Sequence, residues 1–295
     1  MKIINRISLR KNTIIFGLRQ IILFVLGFLV NIYITKYLAP KDFGILVIFN
    51  TFISALGIVS DGGIFISFIQ SKDNIDTKTV NKMVSFQIIV LFLSCMILTI
   101  LTALNALDML STKYVYLAFV ITGFNSLQSI FYTKFQKDFN ISYIAVSDLI
   151  SSLFYYIIVI VLIALDYGII SIILATIIKG IVSIVISLSY YKNTIKLDFA
   201  ILEPSFINKI RIGFINQFSY LVNFLKSLLN PIIVGNILGI SEVGLIDRAV
   251  SFSGMPVSIV NAIVMKEHPA IKSDVCIGCY CCHELCPQSA WCLES

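Results

Sequence analysis

The hydrophobic positions of this chain fall in long unbroken runs, and the polar positions fall in short breaks between them. Runs near residues 14–35, 44–68, 84–107, 114–133, 142–165, 169–190, 212–237 and 244–264 each reach the roughly 20 residues an α-helix needs to cross about 30 Å of hydrocarbon. Their Ile, Leu, Val and Phe content leaves no polar face for water, so the pattern predicts about eight transmembrane helices and an all-α multi-pass membrane protein. The breaks, such as Ala39-Pro40-Lys41-Asp42 and Ser71-Lys72-Asp73-Asn74, carry turn residues. The first run is too long for a signal-peptide core and runs into Thr35-Lys36 rather than a small-residue cleavage site, so it is expected to be retained. After the last run the pattern changes: residues 266–295 form a polar, cysteine-rich tail.

Composition supports the membrane reading. The chain is 58% hydrophobic and 13% charged, far from the balance of a soluble globular domain. The placement of its cations predicts an orientation, because Lys and Arg are retained on the cytoplasmic side. With the N-terminus inside, the inner segments hold Lys2, Arg6, Arg10, Lys11, Lys72, Lys78, Lys82, Lys134, Lys137, Lys192, Lys196, Lys209 and Arg211, whereas the outer ones hold only Lys36, Lys41 and Lys113. The N-terminus and, after an even number of crossings, the cysteine tail are therefore both expected in the cytoplasm, with the body in the cytoplasmic membrane. Basic loops facing anionic lipid headgroups account for the net charge of +6, so membrane lipids are expected partners and a nucleic acid is not. No nucleophile–base pair, glycine-rich phosphate loop or carboxylate dyad stands out, which argues against an enzyme.

One internal repeat is visible. Gly17 begins a run that ends in Leu38-Ala39-Pro40-Lys41-Asp42-Phe43-Gly44-Ile45, and Gly213 begins another that ends in Leu238-Gly239-Ile240-Ser241-Glu242-Val243-Gly244-Leu245. Both read as a span, a Leu, a small turn, an acidic residue, and a Gly two positions later opening the next span. Parallel repeats of six-helix halves are one way of building a transporter with its substrate site between them. The repeat predicts a six-helix lobe over residues 1–191, a cytoplasmic linker over 192–211 and the first two helices of a second, truncated lobe over 212–265, which leaves the cysteine-rich tail over 266–295 as a separate part.

Gly17-Leu-Arg-Gln, Tyr37-Leu-Ala-Pro-Lys-Asp-Phe-Gly44, Ser60-Asp-Gly-Gly63, the stretch from Gly235 to Gly244, and Asp247-Arg248-Ala249 together resemble the polysaccharide or O-antigen flippases (Wzx type) of the multidrug/oligosaccharidyl-lipid/polysaccharide exporter superfamily. The resemblance covers residues 8–264. It implies two six-helix lobes rocking around a central cationic cavity and carrying an undecaprenyl-pyrophosphate-linked oligosaccharide across the cytoplasmic membrane. The chain departs from that pattern in lacking the last spans of the second lobe, so a homo-oligomer or a partner subunit is expected to complete it.

Ionisable residues inside spans are where such a function would show. A charge at a helix centre costs about 2.5–3.5 kcal/mol on insertion scales and therefore normally faces protein or a wet cavity. Lys179 lies midway along the sixth run and Lys226 midway along the seventh, where two cations would suit a pyrophosphate or an acidic sugar. The competing reading pairs them with Asp148 or Asp61 to stabilise packing. Arg19 lies close enough to the cytoplasmic end of its run to snorkel, and Asp247-Arg248 reads as an interfacial anchor. The substrate-cavity candidates are thus Lys179, Lys226, Arg19, Asp61 and Asp148. Pro231 and Pro256 are expected to kink the last two spans.

Every cysteine but Cys95 lies in the tail, where Cys276, Cys279, Cys282 and Cys286-Pro287 have the C-x2-C-x2-C-x3-C-P spacing of a bacterial 4Fe–4S ferredoxin motif. In two-cluster ferredoxins the fourth cysteine serves the other cluster, and no second motif is present here. Cys286, Cys281, Cys292 or another chain would have to supply the last ligand, while zinc competes for four thiolates or for three with His283. A junction near residues 264–266 follows, which leaves two alternatives to transport: a membrane-anchored 4Fe–4S electron-transfer protein, and an inactive gene fusion.

Overall fold

The computed structural model describes residues 6–71, 75–103, 112–138, 140–191, 195, 196, 198 and 203–267. These form nine helices and no strand: α1 (Arg6–Tyr37), α2 (Pro40–Asp61), α3 (Ile64–Gln70), α4 (Thr77–Ala103), α5 (Thr112–Lys137), α6 (Ile141–Ala164), α7 (Ile169–Tyr191), α8 (Pro204–Ile237) and α9 (Ile240–Glu267). Of these, α2, α4, α5, α6 and α7 are long and apolar enough to cross a membrane, and α1 carries a shorter apolar stretch, Ile21–Tyr37. The helices follow the predicted runs with one correction. The expected span over 44–68 is two helices, because Gly62 and Gly63 both take the left-handed conformation (φ 53° and 70°), which ends α2 and reorients the chain.

Local chemistry explains the other boundaries. Pro40 opens α2 in the first helical turn, where its missing N–H costs nothing, and the Asp42 carboxylate accepts the Ala39 N–H at 3.2 Å. Pro204 opens α8 in the same way, and Gly239 (φ 105°) separates α8 from α9. Lys137, at the end of α5, caps the C-terminal carbonyls of α3, donating to Phe68 (3.3 Å), Ile69 (3.1 Å) and Ser71. Helical backbone continues through Pro231 and Pro256 to the ends of α8 and α9.

The packing is inside-out relative to a water-soluble protein. On α7 the buried residues are mostly small, Ser171, Ala175, Gly180, Ser183 and Ser187 beside Ile173 and Tyr191, while Ile181 and Val185 are exposed. Lipid tails are as apolar as Leu, so helices gain nothing by hiding Leu from them, and small residues that allow close backbone approach take the interfaces instead. A Cβ on Gly180 would stand 2.9 Å from Cβ of Phe124. The same logic leaves Phe92, Leu93, Met96 and Ile97 of α4 pointing outward. One apolar cluster gathers Ile64, Phe68, Val80, Met83, Ile130 and Phe131 at one end, and another joins Val30, Ile34, Leu38, Leu46, Val159 and Ile163.

The last two helices dock on the first three. Phe206 of α8 inserts into the first of these clusters, its ring 5.6 Å from that of Phe68 and 6.2 Å from that of Phe86. Three described residues before it contact α4: the Lys196 N–H donates to Asn81 Oδ1 (3.2 Å), the Asp198 N–H donates to Ser85 Oγ (2.9 Å), and Glu203 pairs with Lys82. Helices α2 and α9 cross at Gly44 and Gly244, the two glycines that the repeat aligns. A side chain on Gly44 would overlap the Ile240 carbonyl, and one on Gly244 would meet the Pro40 carbonyl and the Gly44 nitrogen. Gly63 and Gly213 are in similar backbone contact between the α2–α3 turn and α8.

This crossing predicts a steric asymmetry among glycines. Gly44→Val should destabilise the detergent-solubilised protein by about 1–3 kcal/mol through overpacking, read as a lowered thermal midpoint. Gly57→Val, where a side chain meets open space, should leave the midpoint within experimental error.

Candidate functional site: a cationic cleft between α1, α6 and α7

Four residues at i+4 spacing, Arg19, Leu23, Gly27 and Asn31, put one face of α1 along a cleft of about 410 Å³. Helix α6 contributes Asp148, Ser152 and Tyr156, again at i+4 spacing, and α7 contributes Lys179. Phe24 and Phe28 complete the lining. The close approach of α1 and α6 depends on Gly27, where a Cβ would stand 2.9 Å from the Tyr156 hydroxyl, which itself donates to the Leu23 carbonyl at 3.3 Å.

Asp148 is the anchor of the site. Its Oδ2 receives Arg19 Nη2 at 2.5 Å, and its Oδ1 accepts the Tyr132 hydroxyl at 2.6 Å. The pair is largely withdrawn from the surface, with the side chains 12% and 23% exposed. Tyr132 lies 3.3 Å from Ser183 Oγ, which approaches Ser147 Oγ at 3.1 Å, so the carboxylate is held by a network reaching α5 and α7. Arg19 therefore does not snorkel to the cytoplasmic end of its helix as expected. A charge-assisted bond to a carboxylate on the neighbouring helix outweighs a reach toward water.

Lys179 differs from Arg19. Among the described residues its ammonium makes no hydrogen bond or ion pair; it stands 5.8 Å from the centroid of the Tyr155 ring and borders the cleft. Of the two readings of Lys179, pairing with Asp148 is not what forms: the carboxylate is held by Arg19 and Tyr132. Arg19 and Lys179 against the single carboxylate of Asp148 leave an excess of positive charge in a site walled by aromatic rings. An arrangement of this kind can attract and hold an anion.

The other candidates lie apart. Asp61 ends α2 and accepts the Ser126 hydroxyl at 3.4 Å, away from the cleft lining. The side chain of Lys226 and the cysteines Cys276, Cys279, Cys282 and Cys286 lie outside the described residues. Among the described residues no three His, Cys, Asp or Glu side chains converge as a metal site. Arg248, read from the sequence as an interfacial anchor, ties α9 to the rest. It donates to Asn31 Oδ1 at 3.0 Å, pairs with Asp247 at 2.8 Å, and its guanidinium carbon lies 4.4 Å from the centroid of the Phe43 ring. Sequence reasoning missed Asn31, Tyr132 and Tyr156, although the i+4 runs through Arg19 and through Asp148 would have found two of the three.

The pattern of this fold, a bundle of apolar helices with its polar groups turned inward, agrees with comparison to known families. A family model described as polysaccharide biosynthesis protein matches residues 9–271. The chain belongs to this family. No curated protein and no solved structure matches it significantly. The match to this polysaccharide biosynthesis family, together with the apolar helices, makes the chain a multi-pass membrane protein.

The Arg19–Asp148 pair is open to a direct test. Asp148→Asn should destabilise the protein by about 3 kcal/mol, because it removes the counter-charge of a largely buried guanidinium. The double variant Arg19→Leu, Asp148→Leu should lose much less than the sum of the two single variants, as read from thermal unfolding in a double-mutant cycle.

Proposed function

We propose that this member of the polysaccharide biosynthesis family acts in the flipping of a lipid-linked oligosaccharide across the cytoplasmic membrane, and that the cleft between α1, α6 and α7 receives the anionic part of its cargo. The observation that carries this reading is the ammonium of Lys179, which borders the cleft beside an Arg19 already neutralised by Asp148. Lysine is suited to transient capture, since its ammonium is a compact point charge without the bidentate grip of a guanidinium. An undecaprenyl pyrophosphate headgroup fits this chemistry, and the aromatic lining of Phe24, Phe28 and Tyr156 suits the sugar and lipid portions beside it. Lys226 remains a second candidate for the same role.

The proposal includes eight crossings, with the N-terminus and tail in the cytoplasm. The cation asymmetry supports it. So does the clustering of Lys82, Lys137 and Lys209 about the end that carries α3 and the linker, where Lys209 lies 4.7 Å from the centroid of the Phe68 ring. The chain alone, supplied to a flippase-null strain, is expected to restore surface polysaccharide. Lys179→Gln should cut that restoration roughly tenfold, as expected for the loss of one charge contact, while Lys179→Arg retains most of it. Accumulation of lipid-linked repeat units on the inner leaflet despite wild-type chain would remove the reading.

The tail carries a second reading, because its cysteine spacing is specific for iron–sulfur ligation. If Cys276, Cys279, Cys282 and Cys286 hold a 4Fe–4S cluster, anaerobically purified protein should contain iron and acid-labile sulfide, both lost in the Cys279→Ala, Cys282→Ala double variant. Equal iron in both proteins points to adventitious binding, and zinc in place of iron points to a tetrahedral thiolate site.

A further inference from the structure

The start of α8 meets α4 through two matched contacts. Lys82 and Phe86 stand one turn apart on α4, and Glu203 and Phe206 stand one turn apart at the N-terminal end of α8. Lys82 pairs with Glu203, and the Phe206 ring packs edge-on against that of Phe86 at 6.2 Å. Beside them, Asn81 and Ser85 of α4 accept the N–H groups of Lys196 and Asp198. Two turns farther along α8, Phe214, Ile215 and Phe218 are exposed, and Gly213 and Gln217 make the next contacts with the first repeat.

The two members of the ion pair are unequal. The Lys82 side chain is 7% exposed, whereas that of Glu203 is 51% exposed. Glu203 loses little by exchanging its partner for water, as a surface carboxylate does. Lys82 is covered while α8 is docked, so taking the carboxylate away leaves a buried ammonium without this counter-charge. Taking the ammonium away instead leaves a carboxylate that water already reaches. An ordinary surface pair is symmetric in this respect, and this one is not.

We propose that Glu203 is the catch of an electrostatic latch: it neutralises the buried Lys82 while α8 lies on α3 and α4, and without it the covered ammonium drives the start of α8 off. The latch lies at the α3 end of the molecule, whereas Gly44 and Gly244 cross near the other end of α2. Its release therefore loosens one end of the α8–α9 hairpin while the other stays in backbone contact. The inference uses no feature of the anion cleft and does not depend on transport.

Hydrogen–deuterium exchange of the full chain in lipid nanodiscs reads the latch, because the amides of Lys196 and Asp198 are protected by Asn81 and Ser85 when the docked arrangement holds. Glu203→Gln should speed their exchange about tenfold, between the small effect of an exposed pair and the larger one of a fully buried pair. Lys82→Met, which fills the same space without a charge, should leave exchange at the wild-type rate, and adding it to Glu203→Gln should restore that rate. Slow exchange within α6 and α7 reports that each variant is folded, and Lys82→Met alone still decides if Glu203→Gln loses that protection. Exchange at the wild-type rate in a folded Glu203→Gln overturns the proposal. So does acceleration by Lys82→Met equal to that by Glu203→Gln, the behaviour of a symmetric surface pair.

Discussion

A charge placed in hydrocarbon must find its counterpart inside the protein, and the arrangement of α1, α5, α6 and α7 follows from that demand. Arg19 meets Asp148 across the α1–α6 interface, Tyr132 of α5 holds the second carboxylate oxygen, and Ser183 of α7 holds Tyr132. Water could have solvated each of these groups separately. Without it, every partner must be brought to within bonding distance by a helix, so that satisfying one carboxylate fixes the relative depth and rotation of four helices. Lys179 is the exception that gives the cleft its character, since it enters the same region after the carboxylate has been filled.

Backbone proximity is the second constraint. Glycine pairs, not interlocking large side chains, bring the last two helices against the first three: Gly44 with Gly244 where α2 and α9 cross, and Gly63 with Gly213 where α8 meets the turn after α2. Between apolar helices in lipid, dispersion at close range and a few polar contacts supply the attraction that hydrophobic burial supplies in water. Arg248 to Asn31 and Gln217 to the Ile58 carbonyl are contacts of that kind, each landing beside a glycine crossing. Movement of α8 and α9 relative to the first repeat would have to break or slide these contacts.

The turn at Gly62 and Gly63 shows how a short local feature escapes hydropathy. Residues 64–70 are as apolar as those before them, so the run over 44–68 reads as one span. Two successive left-handed glycines end the helix regardless, and α3 is then held by Lys137, a residue whose charge in the sequence signals only an orientation. Arg19 and Arg248 make a related point. Position along a helix gives the depth of a side chain, and depth suggested snorkelling and interfacial anchoring, yet the direction each guanidinium takes depends on which acceptor a neighbouring helix offers.

From the sequence alone came the helical class, the approximate course of the long helices, the paired glycines of the repeat and the identity of the intramembrane charges. These follow from composition and local backbone preference: apolar runs must be helical in lipid, and Pro and Gly punctuate them whatever surrounds them. Tertiary structure alone decided which charges pair, that Asp148 belongs to Arg19 and not to Lys179, and that Ser60, Asp61, Gln87 and Ser126 converge from three helices. Such contacts join residues from 27 to 129 positions apart, and no local pattern encodes the rotation of one helix against another.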